Sequence, residues 1–471
     1  MREANRRWAA ALSAAAVTAG LSVAMATPAA AVGGPCGQGG GSLGSLGSSG
    51  LTGSLMGSLG AGSLGSATGS LANSLPWITG APNGALPVLS GKTKALEMVT
   101  GPGSPNDTID RFSVAGTDLG IMWDNGAGEV LMAFGDTVGD CGIDGDQWRS
   151  NVLFRSNDAN LADGMRIDSS PLDTPGGNFS RQVIKGLLNL PPGTMPEFTV
   201  IPTGGVAVDG VQYVRWMSVR SWDVPGEWTT NYSGLAFSTD NGENWTTDPA
   251  TVRLNREGVL DGLDLPGVPN LATSNKNWQM SAFVPDRGDG YVYEFGTPSG
   301  RSGEARLARV PKADIRNLNA YEYRTGTGWS QDIADAVPVI RGNVSELSVQ
   351  WNPYLGKYVA MYTDMGGLKI RQSSDLINWS GTQTLIGSTA LPSLYGGFMH
   401  PWSNKNSTDN NLYFVLTTWD RYNVIYMKTD LSGMRVASTD TFDRPDPANT
   451  GEQRLEGFQT PEGFVAPDEV E

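Results

Sequence analysis

Histidine is almost absent from this chain: there is one, His400. A two-histidine metal site is thereby excluded, and a Ser–His–Asp triad would have to be built on that single residue. It lies in Phe398-Met-His-Pro-Trp402, where a structural or substrate-contacting role outweighs that of a catalytic base. Positive charge is also scarce. Against 48 Asp and Glu stand 33 Lys and Arg, a formal net charge of −15. That balance argues against nucleic acid as a partner and, with less force, against an acidic polymer as substrate. Beyond the N-terminus no run of about 18 apolar residues occurs, so no stable membrane insertion is expected after signal removal. Long helical periods are missing too, and turn clusters come often. The residues call for no cofactor.

The N-terminal residues 1–31 read as an export signal. Arg2, Arg6 and Arg7 form a basic start, Trp8–Met25 is apolar, and Ala29-Ala30-Ala31 offers small residues for cleavage. The apolar part is near the length of a membrane span, so an uncleaved anchor is the alternative. A secreted or cell-wall-associated monomer is expected. Residues 32–91 are rich in Gly, Ser and Leu and read as a flexible tether. Residues 92–435 have globular composition. Residues 436–471 are acidic and proline-containing and read as a disordered tail. Two cysteines, Cys36 and Cys141, complete the inventory. In an exported protein they are expected to pair, tying the tether to the loop after Asp136.

The globular region is organised around Ser113–Ser156. Val114–Trp123 and Glu129–Gly135 are apolar runs separated by the turn cluster Asp124–Gly128. Asp118 lies inside the first strand and Asp136 at the end of the second. A turn centred on Gly126 pairs Asp118 with Phe134 and makes Asp136 its diagonal neighbour. Such neighbours lie roughly 7–8 Å apart. Two carboxyls flanking a glycosidic bond need about 5–9.5 Å, and the diagonal spacing leans towards inversion. A one-residue slip would put the acids on opposite faces. The segment Asp118–Asp136 recurs as Glu346–Asp364, with Trp123 over Trp351 and Gly128 over Gly356. Five hairpin-rich units can be counted, which predicts an all-β fold, a five-bladed β-propeller. Ala95–Thr100 is expected to supply the outer strand of the last blade. A sandwich has no need for a recurring acid-led strand. Ser238–Trp245 resembles the Asp-box of sialidases, with a looser version at Ser373–Trp379. In these turns Asp bonds turn amides while Trp packs between blades.

Carboxylates and aromatics remain for chemistry, the equipment of a glycoside hydrolase. Asp118 and Glu346 stand out because an acid inside an apolar strand is costly without purpose. Asp124, Asp144 and Asp146 read as solvated or capping residues. Calcium held by Asp140, Asp144 and Asp146 is an alternative, although the spacing is not that of an EF-hand.

The motifs GTDLGIMWDNG, FGDTVG, QWRSNVLFRS, ELSVQWNPYLGKY and GGFMHPWS resemble the domain of unknown function 4185 of actinobacteria. Part of that group forms glycoside hydrolase family 183, the endo-D-arabinanases. The resemblance implies a five-bladed propeller that cleaves D-arabinan in arabinogalactan or lipoarabinomannan. It places the essential aspartate pair on Asp118 and Asp136; from their positions in the strands Asp118 is expected as base or nucleophile and Asp136 as general acid, or the reverse. Glu346, Arg149, Asn151, Trp278 and His400 are the expected substrate contacts. A non-catalytic glycan-binding propeller and an adhesive envelope protein are the competing readings.

Overall fold

Asp124–Gly128 shows how this chain makes sheets. Asp124 Oδ1 accepts from Gly126 N at 2.8 Å, and Asn125 Oδ1 accepts from Ala127 N and Glu129 N at 2.7 and 3.0 Å. Gly126 and Gly128 take left-handed backbone, φ 78 and 93. Side-chain oxygens and glycines thus close the hairpin. The computed structural model describes residues 84–434, apart from 225, 258–264, 266, 270–272 and 392, together with 453–466. The expected export signal, most of the tether and much of the tail lie outside the described residues.

The described chain is all-β. Strands β1 (Leu86–Leu89) and β2 (Thr93–Met98) come first. The first large sheet is β3 (Gly116–Asp124), β4 (Val130–Val138) and β5 (Val152–Ser156). The second is β6 (Thr199–Val208), β7 (Val211–Trp222), β8 (Trp228–Ser238) and β9 (Thr246–Leu254). The third contains β10 (Met280–Val284), β11 (Tyr291–Thr297), β12 (Ala305–Pro311), β13 (Glu322–Arg324), β14 (Trp329–Ser330) and β15 (Pro338–Ile340). The fourth is β16 (Ser345–Asn352), β17 (Lys357–Asp364), β18 (Gly367–Ser373) and β19 (Gln383–Gly387). The fifth joins β20 (Leu394–Met399), β21 (Asn411–Thr418) and β22 (Asn423–Asp430) to β2, which pairs antiparallel with β22. The expected outer strand at Ala95–Thr100 is therefore found, starting two residues earlier.

Apolar side chains fill the space between consecutive sheets. One cluster joins the first and second sheets through Trp123, Leu131, Val214 and Trp216. Others join the second to the third, the third to the fourth and the fourth to the fifth. Another carries Phe134 and Phe154 of the first sheet against Phe398, Val415 and Tyr426 of the fifth. The first strands β3, β6, β10, β16 and β20 also pack successively, and β20 returns to β3. The two Asp-box turns do as expected. Trp245 meets Trp123 edge-on at 6.4 Å, and Trp379 meets Phe295 at 5.9 Å, each ring reaching the preceding sheet.

One expectation needs correction. Within the region read as a tail, β23 (Leu455–Thr460) and β24 (Gly463–Val465) form a sheet with β1 from the region read as tether. Leu89 and Phe458 are fully buried and join the cluster between the fourth and fifth sheets. Short apolar patches in polar surroundings, Leu-Pro-Val-Leu and Gly-Phe, are enough to anchor both ends on the domain.

Candidate active site

The acid-bearing strand does not run in simple register. In β3, Thr117 faces Thr137, Leu119 faces Phe134 and Ile121 faces Ala133, with irregularities on both sides of Leu119. Leu119, not Asp118, therefore opposes Phe134, and the diagonal geometry expected from the sequence, with its lean towards inversion, does not hold. Leu119 and Gly120 are left-handed, φ 69 and 82, and the displaced Leu119 amide donates to Thr417 Oγ1 at 3.0 Å. Bulges re-aim side chains. Here they turn Asp118 over Gly135, where any Cβ would collide with Asp118 Oδ1. Similar irregularities occur at Ser345–Ser348 in β16 and Tyr395–Phe398 in β20. Glu346 is itself left-handed, φ 52. Three first strands thus deliver Asp118, Glu346 and Tyr395 from distorted starts.

Asp118 and Asp136 are half-buried. Asp136 Oδ1 accepts from Trp148 Nε1 at 2.9 Å and from the hydroxyl of Thr199, the first residue of β6. Burial lifts the Asp136 carboxyl to about 7, against the pull of those two hydrogen bonds. Asp118 Oδ2 accepts from the Tyr395 hydroxyl at 3.1 Å, while its Oδ1 has no protein partner. Burial, and then the neighbouring Asp136 charge, push the Asp118 carboxyl well above the usual range. Burial beside both aspartates likewise raises the Tyr422 hydroxyl. Glu346 joins this group. Its Oε1 pairs with Arg301, and its Oε2 accepts from Thr363 Oγ1 and from Gly396 N at 3.2 Å. Arg301 lies 5.2 Å from the Tyr395 ring centre, so the ion pair borders the aspartates.

The other expected contacts lie elsewhere. Asn151 is fully buried and spends its whole amide on backbone: Nδ2 donates to Ile184 O and Val200 O, and Oδ1 accepts from Val183 N and Ile184 N. The Arg149 guanidinium donates to Gln147 O and Ser113 O at 2.7 and 2.8 Å, over the Phe179 ring. Burial lowers it to about 10. Trp278 is fully buried between sheets, against Arg253 and Tyr323. His400 is fully buried, its Nδ1 accepts from Trp402 N at 3.2 Å, and burial lowers it to about 3. All four are corrected from substrate contacts to internal struts. Each is a polar or aromatic group that the interior uses for packing. Cys141 is not a free thiol, and its expected partner Cys36 lies outside the described residues. Among the described residues no three His, Cys, Asp or Glu gather as cation ligands, and Asp140 Oδ1 serves Gly142 N at 2.8 Å.

Thr199, Trp148, Arg301, Tyr395 and Tyr422 were not singled out from the sequence. Trp148 lies inside the motif QWRSNVLFRS and Tyr395 directly precedes GGFMHPWS, which was a usable signal. Arg301 sits in Pro-Ser-Gly-Arg-Ser-Gly, where nothing marks it.

Two fungal relatives are found. Notoamide biosynthesis cluster protein J of Aspergillus sp. (strain MF297-2) is 30% identical over 335 residues, spanning 67% of this chain and 83% of that protein. Notoamide biosynthesis cluster protein J' of Aspergillus versicolor is 28% identical over 331 residues, spanning 67% and 84%. Among solved structures, a putative hydrolase from Bacteroides ovatus superposes with a TM-score of 0.45 at 13% identity, covering 69% of this chain and 88% of that one. An α-L-arabinofuranosidase from Podospora anserina gives 0.39 at 12%, covering 73% and 98%. A Bacillus subtilis arabinanase gives 0.37 at 11%, covering 68% and 98%. At such scores these structural likenesses decide nothing about the reaction. The match to the family described as Domain of unknown function (DUF4185) is of another order, running over residues 103–428, and the chain belongs to that family.

Proposed function

We propose that this protein is an exported, monomeric, endo-acting glycoside hydrolase that cleaves D-arabinofuranosyl linkages of cell-wall arabinogalactan or lipoarabinomannan. In this reading the five large sheets are the blades of a five-bladed β-propeller, and the distorted first strands bring the acids to one end of its axis. The observation that carries the proposal is the carboxyl pair. Asp118 and Asp136 sit half-buried on neighbouring strands, and the charge of one raises the other.

Two such carboxyls do not both ionise near neutral pH; they share one proton. The surroundings say where it rests. Asp136 Oδ1 accepts from two donors, Trp148 Nε1 and Thr199 Oγ1, which favour its charged form. Asp118 meets only the phenol hydroxyls of Tyr395 and Tyr422, one of its oxygens has no partner, and burial with the Asp136 charge pushes its carboxyl well above the usual range. The proton therefore belongs on Asp118. Asp118 is the general acid that protonates the leaving oxygen, and Asp136 is the carboxylate that activates water or attacks the anomeric carbon. This reverses the first of the two role assignments drawn from the sequence and adopts the second.

The test is digestion of purified arabinogalactan with analysis of the released oligosaccharides. Asp118→Asn and Asp136→Asn should each lose on the order of 10²–10⁴ in rate, the worth of one acid–base group. An aryl arabinofuranoside with a good leaving group should restore much of the Asp118→Asn activity and none of the Asp136→Asn activity. Near-wild-type digestion by both variants would sink the proposal. Glycan binding without product release, surviving both changes, would make the protein a binder instead.

A further inference from the structure

Beside Asp118 a group of rings stands at the margin of the core, Trp228 within it and Trp222 and Trp419 packed against it. Trp419 stacks on Tyr395, ring centres 4.5 Å apart and 21° between planes. The Arg301 guanidinium lies 5.6 Å from Trp228 and 5.7 Å from Trp419. Trp222 meets Trp228 edge-on at 5.6 Å. Trp222 and Trp419 are each only partly covered, and Trp228 Nε1 has no hydrogen-bond partner. The rim continues with two exposed apolar side chains, Val224 at 59% and Met365 at 72%. Gly226, whose carbonyl accepts from Arg301 N at 2.8 Å, ties that rim to the arginine.

We propose that Trp222, Trp228, Arg301 and Trp419 form a subsite for a neutral furanosyl residue, one or more positions along the chain from the bond held at Asp118 and Asp136. The inference rests on the glycosidase reading and extends it, by giving the polymer a direction across the site. Tyr395 makes the connection, since its hydroxyl reaches Asp118 while its ring carries Trp419. Glu346 already answers the Arg301 charge, so that guanidinium offers an anionic ligand little and leaves a neutral sugar as the better fit. A furanose presents an apolar C–H face and a hydroxyl edge. Half-covered indole faces take the first, and N–H donors take the second. Binding energy gathered at such a distance can be used to hold the scissile bond in place.

The experiment is calorimetry of full-length protein carrying Asp118→Asn, which keeps the probes intact, with D-arabinofuranosyl oligosaccharides of two and six residues. The longer probe should bind more tightly than the shorter. Trp222→Ala or Trp419→Ala, added singly, should erase most of that gain, about tenfold in the ratio of the two dissociation constants. Trp419→Phe should restore part of it, which a merely structural tryptophan would not show as a length dependence. If both alanine variants keep the full gain while wild-type protein cleaves the polymer, the subsite is wrong and the glycosidase reading stands. If wild-type protein neither binds nor cleaves any of these probes, both fall together.

Discussion

Glu294 and Asp118 are both carboxylates walled off by the fold, one between the second and third sheets, the other at the start of the first. Glu294 is fully buried, yet it lies at about 2, because Arg215 and Arg253 outweigh the cost of burial. Arg215 reaches it through Nε and Nη2 at 3.1 and 3.2 Å, Arg253 through Nη1 at 2.7 Å, and Ser281 Oγ donates as well. Asp118 has an arginine nearby too, but Arg301 is taken by Glu346, and the next charge is Asp136. Burial is common to both sites. The position of the arginine decides whether a buried acid becomes a fixed anion or a holder of protons.

The interior site offers the largest break. Glu294→Ala leaves two buried guanidiniums facing each other without an anion, a loss of about 3–5 kcal/mol. The expected result is a much lower urea midpoint with an unchanged slope. A midpoint within error of wild type would show that water reaches the arginines and that the comparison fails. The active-site counterpart is Glu346→Gln, which removes a repelling charge from Asp118 and releases Arg301 towards it. The Asp118 carboxyl should fall, so the alkaline limb of the pH–activity profile should move to lower pH, with activity down about tenfold at neutral pH. An alkaline limb that stays in place would mean Arg301 does not act on Asp118.

How much of this was legible in the sequence differs by residue. Asp118 and Asp136 were visible because acids in apolar strands are conspicuous, and the hairpin carrying them follows from alternation and a turn cluster. Their register was not visible, since a bulge at Leu119–Gly120 costs the pattern nothing and shifts every partner. Glu346 was reached through the repeat, which both sheets use for their first two strands. Thr199 and Tyr395 come from other sheets and Arg301 from the loop between β11 and β12, and only folding brings them to the aspartates. Asn151, Arg149, Trp278 and His400 mislead for one physical reason. Each is taken up by the interior: backbone groups serve Asn151, Arg149 and His400 Nδ1 as well as a substrate would, and the Trp278 ring is wholly buried by packing. Composition hid β23 and β24 because one buried Phe458 is too small a signal against an acidic background.

A smaller effect separates the two sites by pH. The Asp136 carboxyl is raised from 3.8 to about 7 in the folded protein. A raised acid holds its proton longer folded than unfolded, so its contribution is favourable below about 3.8 and is lost as pH rises towards 7. Asp136→Asn removes that burden and keeps an oxygen for Trp148 and Thr199. The variant should be more stable than wild type above pH 7, by on the order of 1–2 kcal/mol, and no different near pH 4. Thermal melts at the two pH values check this. Glu294, lowered rather than raised, contributes stability above about pH 4.5 that is lost as pH falls towards 2, and so cannot produce the same curve.

The smallest expected effect concerns His400, the one histidine and so the natural suspect for any transition between pH 5 and 8. Its ring is fully buried, and burial, followed by the charge of Lys405, lowers it to about 3. It is therefore neutral throughout that range, as its acceptor role at Nδ1 towards Trp402 N requires. Asn at this position can accept the same amide, but it leaves part of the ring's volume empty. His400→Asn should lower stability by about 1 kcal/mol through that cavity. Between pH 5 and 9 its activity profile, normalised to its own maximum, should superimpose on that of wild type. The limbs then belong to the aspartate pair, whose proton needs no imidazole. A limb that moves or disappears in His400→Asn would return the histidine to the site and reopen the assignment of Asp118 as the acid.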